Sequence, residues 1–457
     1  MRARLPEGVL RVARTARFLR HIAGQARFPF RPWKVVQRAQ AARLAATVRF
    51  AYDHVPYYRS AMDGLGLRPR DIRTVDDLAA LPVVDTAEIP ELGHALLPGG
   101  KPAPEWSRLR SGGSMGAPKT VYLDTPGLIA GIAVRERARI VAARAIGKRT
   151  GYREAVFAPP EGVYRWVEEH MYDIAWAPRR MRVQRSYFSL YDDPRTTLPE
   201  LAAFGAHHFH GYGSHIGRLF QAILESGEPF PLPRAVTYSS DEMPDGIRRA
   251  IVEDLGIPVF SIYGAVEALT IGFTCGEGEG FHLNADAYPI RVVDDAGRSV
   301  PPGETGSIMV SNLVSRGTML LNYRIGDLGR LVPGSCPCGR TLPRLAALQG
   351  RNDEWVARAG GGRMHAQAVR TLFTHEDERV WRYQVVQEEV DRFRVTIVPA
   401  VGVDPQTLTA DVTELFRRRF GPRTEVELDF VSEIEQTSGG KVRPFHCRVG
   451  KGNGAAS

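Results

Sequence analysis

Apolar side chains return at helical intervals from the start of the chain. Leu10, Val12, Phe18, Leu19 and Ile22 recur with arginines between them; Pro29 and Pro32 interrupt the run, and Val35, Ala42, Leu44 and Val48 resume it. The spacing predicts two helices, the second ending near His54-Val55-Pro56-Tyr57-Tyr58-Arg59. From residue 61 to 350, short apolar runs alternate with amphipathic ones. Pro233–Tyr238 and Pro258–Tyr263 read as buried strands, Leu198–Phe204 and Ile216–Leu224 as helices, and such alternation belongs to an α/β domain. Val292–Asp295, a turn at Gly297 and a strand at Gly306–Ser311 predict a smaller β-rich part. After Arg351 the pattern changes. Phe393, Val395 and Ile397 alternate with Arg394 and Thr396, Leu408, Val412, Leu415 and Phe416 sit at helical spacing, and Val426, Leu428 and Phe430 alternate with acids. Two strands, a helix and a strand make a small α+β unit of about 100 residues, an ordinary domain size. The expected fold class is therefore α/β: a helical arm over 1–60, a large α/β core domain with its β-rich part over 61–350, and a mobile α+β lid domain over 351–457.

Charge modifies this picture at one end only. Residues 1–50 contain eleven arginines and Lys34 against the single acid Glu7, a net +11, whereas the whole chain is +9 and the remainder therefore −2. The basic balance describes an arm, not a nucleic-acid-binding body. Such a helix either packs on the body or on a second copy in a homodimer, or touches a membrane surface or an acidic partner. No apolar run is long enough to span a bilayer, and no secretory leader pattern follows the basic start. Four cysteines in 457 residues make no disulfide framework, which fits a reducing cytoplasm.

Five segments carry chemistry. Ser111-Gly112-Gly113-Ser114-Met115-Gly116-Ala117-Pro118-Lys119 offers backbone N–H groups, hydroxyls and a lysine to phosphate oxygens. It is not a Walker A loop, because Pro118 precedes the lysine and a strand-like stretch, Thr120–Leu123, follows. Ile262-Tyr263-Gly264-Ala265-Val266-Glu267 closes a predicted strand with an aromatic that can stack on a base and a carboxylate suited to a divalent cation; Glu267 at the start of a helix is the plain alternative. In Tyr323-Arg324-Ile325-Gly326-Asp327 an aspartate after a tight glycine turn can accept two ribose hydroxyl protons. Gly350-Arg351-Asn352-Asp353-Glu354 is a polar junction at the predicted domain boundary, with Gly360-Gly361-Gly362 just beyond. Thr437-Ser438-Gly439-Gly440-Lys441 places a lysine on a glycine-rich loop, a mobile point charge for a transferring phosphate.

The order of these segments resembles the adenylate-forming superfamily of acyl-CoA ligases and adenylation domains over residues 50–450. The His54–Arg59 stretch and the run Cys336-Pro337-Cys338-Gly339-Arg340 resemble its phenylacetate–coenzyme A ligase branch. The resemblance implies a reaction and its parts. ATP and a carboxylic acid, aryl or arylacetic, would give acyl-AMP and pyrophosphate, and coenzyme A would then take the acyl group. Ser111, Gly112, Gly113, Ser114, Gly116 and Lys119 would wrap the phosphates, Ser240, Asp241 and Glu242 would contact the adenine with Tyr263 and Gly264 beside it, and Glu267 would hold Mg²⁺. Asp327, with Arg351 nearby, would hold the ribose, Asp353 would be the lid hinge, and Lys441 would bridge the carboxylate and the α-phosphate. His210, Tyr212 and Gly213 would line the acid pocket. Three hydroxyls usual in the family are replaced here by Met115, Val266 and Ile325. That keeps a second acceptor class open: an amine, a carrier-protein thiol or a small inorganic nucleophile in secondary metabolism. A catalytically silent nucleotide-binding homologue is the third reading, opposed by the retained Glu267, Asp327 and Lys441.

Cys275, His282, Cys336 and Cys338 offer three thiolates and an imidazole, a donor set for tetrahedral Zn²⁺ or, alternatively, unrelated buried groups. Some ligases of this branch resemble it in carrying a structural zinc. Cys447 has no evident partner, and the cluster His207, His208, His210 and His215 divides between surface and acid pocket rather than forming a second metal site.

Overall fold

In the computed structural model, the described residues are 7–110, 119–159, 165–167, 169–170, 182–190, 192–346, 348, 355–358, 363–365, 369, 372, 379–400, 402–434 and 444–449. The two N-terminal helices form where the periodicity places them, as α1 (Glu7–Ile22) and α2 (Trp33–His54). Pro56 does more than end the second. It opens a further helix, α3 (Pro56–Gly64), because proline's fixed φ suits a first helical position where no N–H partner is needed. Leu44, Val48, Ala51 and Tyr58 of α2 and α3 share a core with Leu320, Leu321 and Tyr323, and the Tyr58 hydroxyl accepts the Leu321 N–H at 2.8 Å.

After β1 (Val84–Asp85), the antiparallel pair β2 (Ser107–Arg110) and β3 (Thr120–Leu123) flanks the glycine-rich stretch, with Arg110 opposite Thr120. Residues 111–118 lie outside the described set. Helix α4 (Thr125–Ile146) then leads into the main sheet.

Five of that sheet's strands are mutually parallel: β4 (Arg153–Ala158), β5 (Gln184–Ser189), β6 (His208–Tyr212), β7 (Ala235–Ser239) and β8 (Val259–Tyr263), in the order β5-β4-β6-β7-β8. Both faces are covered, as a parallel sheet requires. Ala155, Phe157, Phe209 and Val236 pack with Leu201 of α5 (Pro194–Phe204) and with Ile216, Leu219 and Phe220 of α6 (Gly213–Ser226). The alternate residues Ala235 and Phe260 face Ala138, Val141 and Ala142 of α4. Beyond β8 the sheet turns antiparallel through β9 (Gly272–Phe273) and β10 (Phe281–Leu283), and a β-rich part adds β11 (Ile290–Val293), β12 (Thr305–Val310), β13 (Tyr323–Val332) and β14 (Arg344–Leu345).

A hairpin, β15 (Trp355–Ala357) and β16 (Arg363–His365), precedes a separate four-stranded sheet. That sheet runs β19-β18-β17-β20, built from β17 (Val380–Glu389), β18 (Arg392–Pro399), β19 (Glu425–Phe430) and β20 (Phe445–Cys447). Helix α7 (Pro405–Phe420) closes its own core, in which Phe393, Val395 and Ile397 meet Leu408, Val412 and Phe416. Asp404 caps the helix by accepting the Thr407 N–H at 2.9 Å. This part meets helices that cover the larger sheet, where Val380 O of β17 faces Gly246 in the helix Asp245–Arg249 and where Arg218 of α6 pairs with Glu433 beyond β19. The junction at residues 349–354 lies outside the described set, so the hinge expected at Asp353 and the ribose contact expected of Arg351 rest on the sequence. No helix among the described residues is long and apolar enough to cross a membrane.

Candidate active site

Parallel strands deliver their following loops to one edge of the sheet, and a crevice opens where consecutive connections leave in opposite directions. Here the chain passes from β4 to β5 on one side and then to β6 on the other side of β4, so the crevice lies beyond the carboxyl ends of β4 and β6. Tyr212, Ser239 and Tyr263 end β6, β7 and β8 at that edge. Tyr212-Gly213, Ser240-Asp241-Glu242 and Tyr263-Gly264 were each singled out in sequence, and the topology brings all three together.

Glu267 follows Tyr263 in a turn, not at a helix start, so the plain alternative for it is excluded. Its side chain is buried, and its Oε1 accepts from Lys119 Nζ at 2.6 Å and from the Tyr323 hydroxyl at 2.8 Å. Lys119 Nζ also donates to Tyr323 Oη at 2.9 Å, and Thr86 Oγ1 lies 2.8 Å from the same oxygen. Burial alone would raise the Glu267 carboxyl; the Lys119 ammonium and the Tyr323 hydroxyl outweigh it and hold the group below the usual glutamate range. Tyr323 moves the other way, raised by burial and then by the Glu267 charge. The lysine expected on phosphates and the carboxylate expected on Mg²⁺ therefore share one hydrogen-bonded cluster, although they are 148 residues apart. The donor set suits that ion, since a carboxylate is a hard oxygen ligand.

Next to this cluster the Tyr263 hydroxyl donates to Asp327 Oδ2 at 2.7 Å. Asp327 does not follow a turn between elements, as the sequence suggested. It lies inside β13, where the register with β12 slips between Ser307 and Met309 and Gly326 takes φ +93°. Such a bulge bends the strand and re-aims a side chain, and a positive φ favours glycine. Three non-glycine residues among those described have positive φ: Ser240 at 75°, Leu269 at 40° and Asn322 at 53°. All three adjoin the site, in the segment Ser240–Glu242, two residues past Glu267 and one before Tyr323. Strain of this kind persists only where surrounding contacts over-determine it. Asn312 supplies one such contact, donating from Nδ2 to the Glu267 carbonyl at 2.7 Å.

At the predicted acid pocket, a Cβ on Gly213 would stand 2.5 Å from the Met243 N and 2.7 Å from the Glu242 C, so only glycine lets α6 begin against the segment at Glu242–Met243. The Ser214 N–H donates to Asp241 Oδ1 at 3.2 Å, and the Ser214 hydroxyl to its other oxygen. His210 is buried on β6, and burial holds its imidazole well below the usual range, in the neutral form. The other histidines part company. His208 bridges Glu154 Oε1 at 2.9 Å and Thr237 Oγ1 at 2.8 Å, His215 lies in α6 against Phe157, and His207 Nδ1 accepts the Arg153 N–H at 3.1 Å. Among the described residues they form no metal-ligating group. Sequence reasoning missed Thr86, Asn312 and the hub role of Tyr323; only Tyr323 lay in a recognised motif. Ser111, Gly112, Gly113, Ser114, Gly116 and Lys441 fall outside the described residues.

The family described as the CapK C-terminal domain matches residues 356–445. A phenylacetate–coenzyme A ligase of Thermus thermophilus is 26% identical over 414 residues, covering 88% of this chain and 87% of that protein. One from Aromatoleum evansii is 24% identical and covers 80% and 81%. These similarities support the resemblance to the adenylate-forming superfamily and its phenylacetate–coenzyme A ligase-like branch. A solved 2-hydroxyisobutyryl-CoA ligase in the postadenylation state has the same two-part fold, with a TM-score of 0.72 at 19% identity over 91% of this chain and 90% of that one.

A second cluster lies away from the strand ends. Cys275 follows β9, His282 pairs with Phe273 from β10, and Cys336 and Cys338 come from the β13–β14 connection. Their ligand atoms lie within 4.8 Å of one another. Cys275 Sγ and Cys336 Sγ are 3.7 Å apart, and Cys338 Sγ is 3.3 Å from His282 Nε2. Two sulfurs held 2.3 Å from one tetrahedral zinc stand about 3.8 Å apart, so the thiols already have the edge length of a zinc tetrahedron. Burial, then Arg340 and Arg344, push the His282 imidazole down to about 4, which leaves it neutral as a ligand must be. These residues fit a structural zinc. Metal analysis of the purified protein is expected to find about one zinc per chain, and Cys336→Ser to lose it with a lower melting temperature; metal-free protein with unchanged melting would oppose this.

Proposed function

We propose that the chain couples ATP to a carboxylic acid, aryl or arylacetic, forming acyl-AMP with release of pyrophosphate, and then transfers the acyl group to coenzyme A. The observation that carries this reading is the cluster of Lys119, Glu267 and Tyr323 beside the Tyr263–Asp327 pair at the strand ends. It sets a cation and a carboxylate next to an aromatic–carboxylate pair, which suits polyphosphate, metal and nucleoside in turn.

In the first step an acid oxygen bonds to the α-phosphorus as the bond to pyrophosphate breaks. Lys119 places positive charge near the phosphates, and Glu267 would hold Mg²⁺, which supplies charge screening when bound. Tyr263 stacks on the adenine, Asp241 and Glu242 meet its edge, and Asp327 accepts from the ribose hydroxyls. Lys441 reaches the reacting carboxylate from the C-terminal unit, which turns at Asp353. In the second step the coenzyme A sulfur attacks the acyl carbonyl and AMP leaves. Neutral His210 beside Tyr212 gives the acid pocket a hydrogen-bonding wall. Four cysteines in 457 residues, too few for a disulfide framework, suit a reducing cytoplasm.

The test is pyrophosphate release across a panel of aryl and aliphatic acids, with and without coenzyme A. Release with an aryl acid, and a thioester only when coenzyme A is present, is the expected result. Release without any thioester would move the acceptor to an amine, a carrier-protein thiol or a small inorganic nucleophile, the class that Met115, Val266 and Ile325 keep open. No release with any acid would leave the silent homologue.

A further inference from the structure

The outer face of α1 has no part in the site or in the fold. The helix lies along α4, with Phe18 half-buried against the core formed by Leu128, Ile129 and Ile132. The turn after it is held down where Arg137 Nε donates to Gln25 Oε1 at 2.7 Å. This docking fixes which face is turned outward. Val9, Val12 and Leu19 are 51%, 70% and 59% exposed, and on a helix of 100° per residue they fall with Ala16 in one stripe, opposite Phe18. An aliphatic stripe left in water on an otherwise docked helix calls for an apolar cover.

Cations border it on one side. Arg20 and Arg17 fall along one edge of the stripe, and Arg27, Arg31, Lys34 and Arg38 are exposed on the following turn and on α2. None of these six pairs with a carboxylate among the described residues. A second copy of the chain is a poor cover, because a two-fold contact would set these cations against their own images. A protein interface core favours aromatic residues, and the stripe has none. Linear aliphatic stripes bordered by arginines suit the headgroup boundary of an anionic bilayer, where the apolar side enters the acyl region and the guanidinium groups meet phosphates.

We propose that α1 docks this protein on an anionic lipid surface, with Val9, Val12 and Leu19 inserted and Arg17 and Arg20 on the headgroups. The inference does not depend on the reaction assigned above.

Co-sedimentation of the full chain tests it, using vesicles of phosphatidylcholine with about a quarter phosphatidylserine against vesicles of phosphatidylcholine alone. Binding to the anionic vesicles only, weakened when salt rises from about 0.1 M to about 1 M, is expected, since the screening length falls from ~10 to ~3 Å. The pair Val12→Asp and Leu19→Asp, and separately Arg17→Gln with Arg20→Gln, should each lower the bound fraction about tenfold. Val252→Asp, at another exposed position, should not. Melting temperatures of all variants report folding independently. Equal binding to both vesicle types, binding to neither, or an equal loss with Val252→Asp would overturn the proposal. So would concentration-dependent self-association abolished by Val12→Asp, which would give the face to a second copy.

Discussion

Glu267→Gln is expected to slow exchange of labelled pyrophosphate into ATP by about 10²–10³-fold with a confirmed substrate acid, the loss typical of removing one preorganised charged group. The substitution keeps the shape and a hydrogen-bonding oxygen for Tyr323 but removes the charge that faces Lys119 at 2.6 Å. Two effects must be separated. Lys119 is 17% exposed and Glu267 5%, so breaking the pair also leaves a mostly buried ammonium uncompensated. The double variant Glu267→Gln with Lys119→Met removes that unpaired charge. It should regain most of the lost thermal stability and none of the exchange, whereas a purely structural pair would recover both. A pH series supplies an independent check. The Glu267 carboxyl lies below its ordinary value in the folded protein, so its stabilising contribution is complete at neutral pH. It is lost as pH falls below the ordinary glutamate range and through the depressed value, and Glu267→Gln should flatten that part of the acid melting profile. Exchange equal to that of the parent protein would remove Glu267 from the nucleotide site.

Lys441→Ala is expected to reduce acyl-AMP formation by a similar factor, about 10²–10³-fold, while ATP binding largely survives. The expectation rests on the order of motifs, because Lys441 stands outside the described residues. A lysine on a glycine-rich loop is a compact charge that can meet the transferring phosphate late, and interactions made only in the transition state alter turnover more than affinity. Lys441→Arg should fail as well, since a forked guanidinium does not replace an ammonium in a tight space. Pyrophosphate exchange and acyl transfer should be measured separately. Unchanged exchange with slower transfer would move Lys441 to the second half-reaction; unchanged rates in both would remove it from the chemistry.

The elements were legible wherever a single periodicity rules. Strands β7, β8, β12, β18 and β19 and helices α5, α6 and α7 occur where alternation or helical spacing puts them, because one buried face repeating at a fixed interval is a local property. Helix α3 was not legible. Pro56 reads as a stop at the end of α2 and as a start only once Val55 is seen extended between the two helices. The Asp327 setting was misread for a related reason: Gly326 signals positive φ in a turn or in a bulge, and only the partner strand β12 decides which.

The site divides along the same line. Residue types and order, a lysine after a glycine-rich stretch, Tyr263 four residues before Glu267, and Asp327 after Gly326, were fixed by the sequence and carried the resemblance. What the sequence could not supply was distance. That Lys119 and Glu267 share a proton-donor network through Tyr323, that Thr86 reaches the same hydroxyl from 237 residues away, and that Cys275 lies 3.7 Å from Cys336 all depend on strand order and register. These contacts join segments far apart in the chain, and their energies come from burial and charge that exist only after the sheet has assembled. A sequence determines which groups are available; packing alone decides which of them meet.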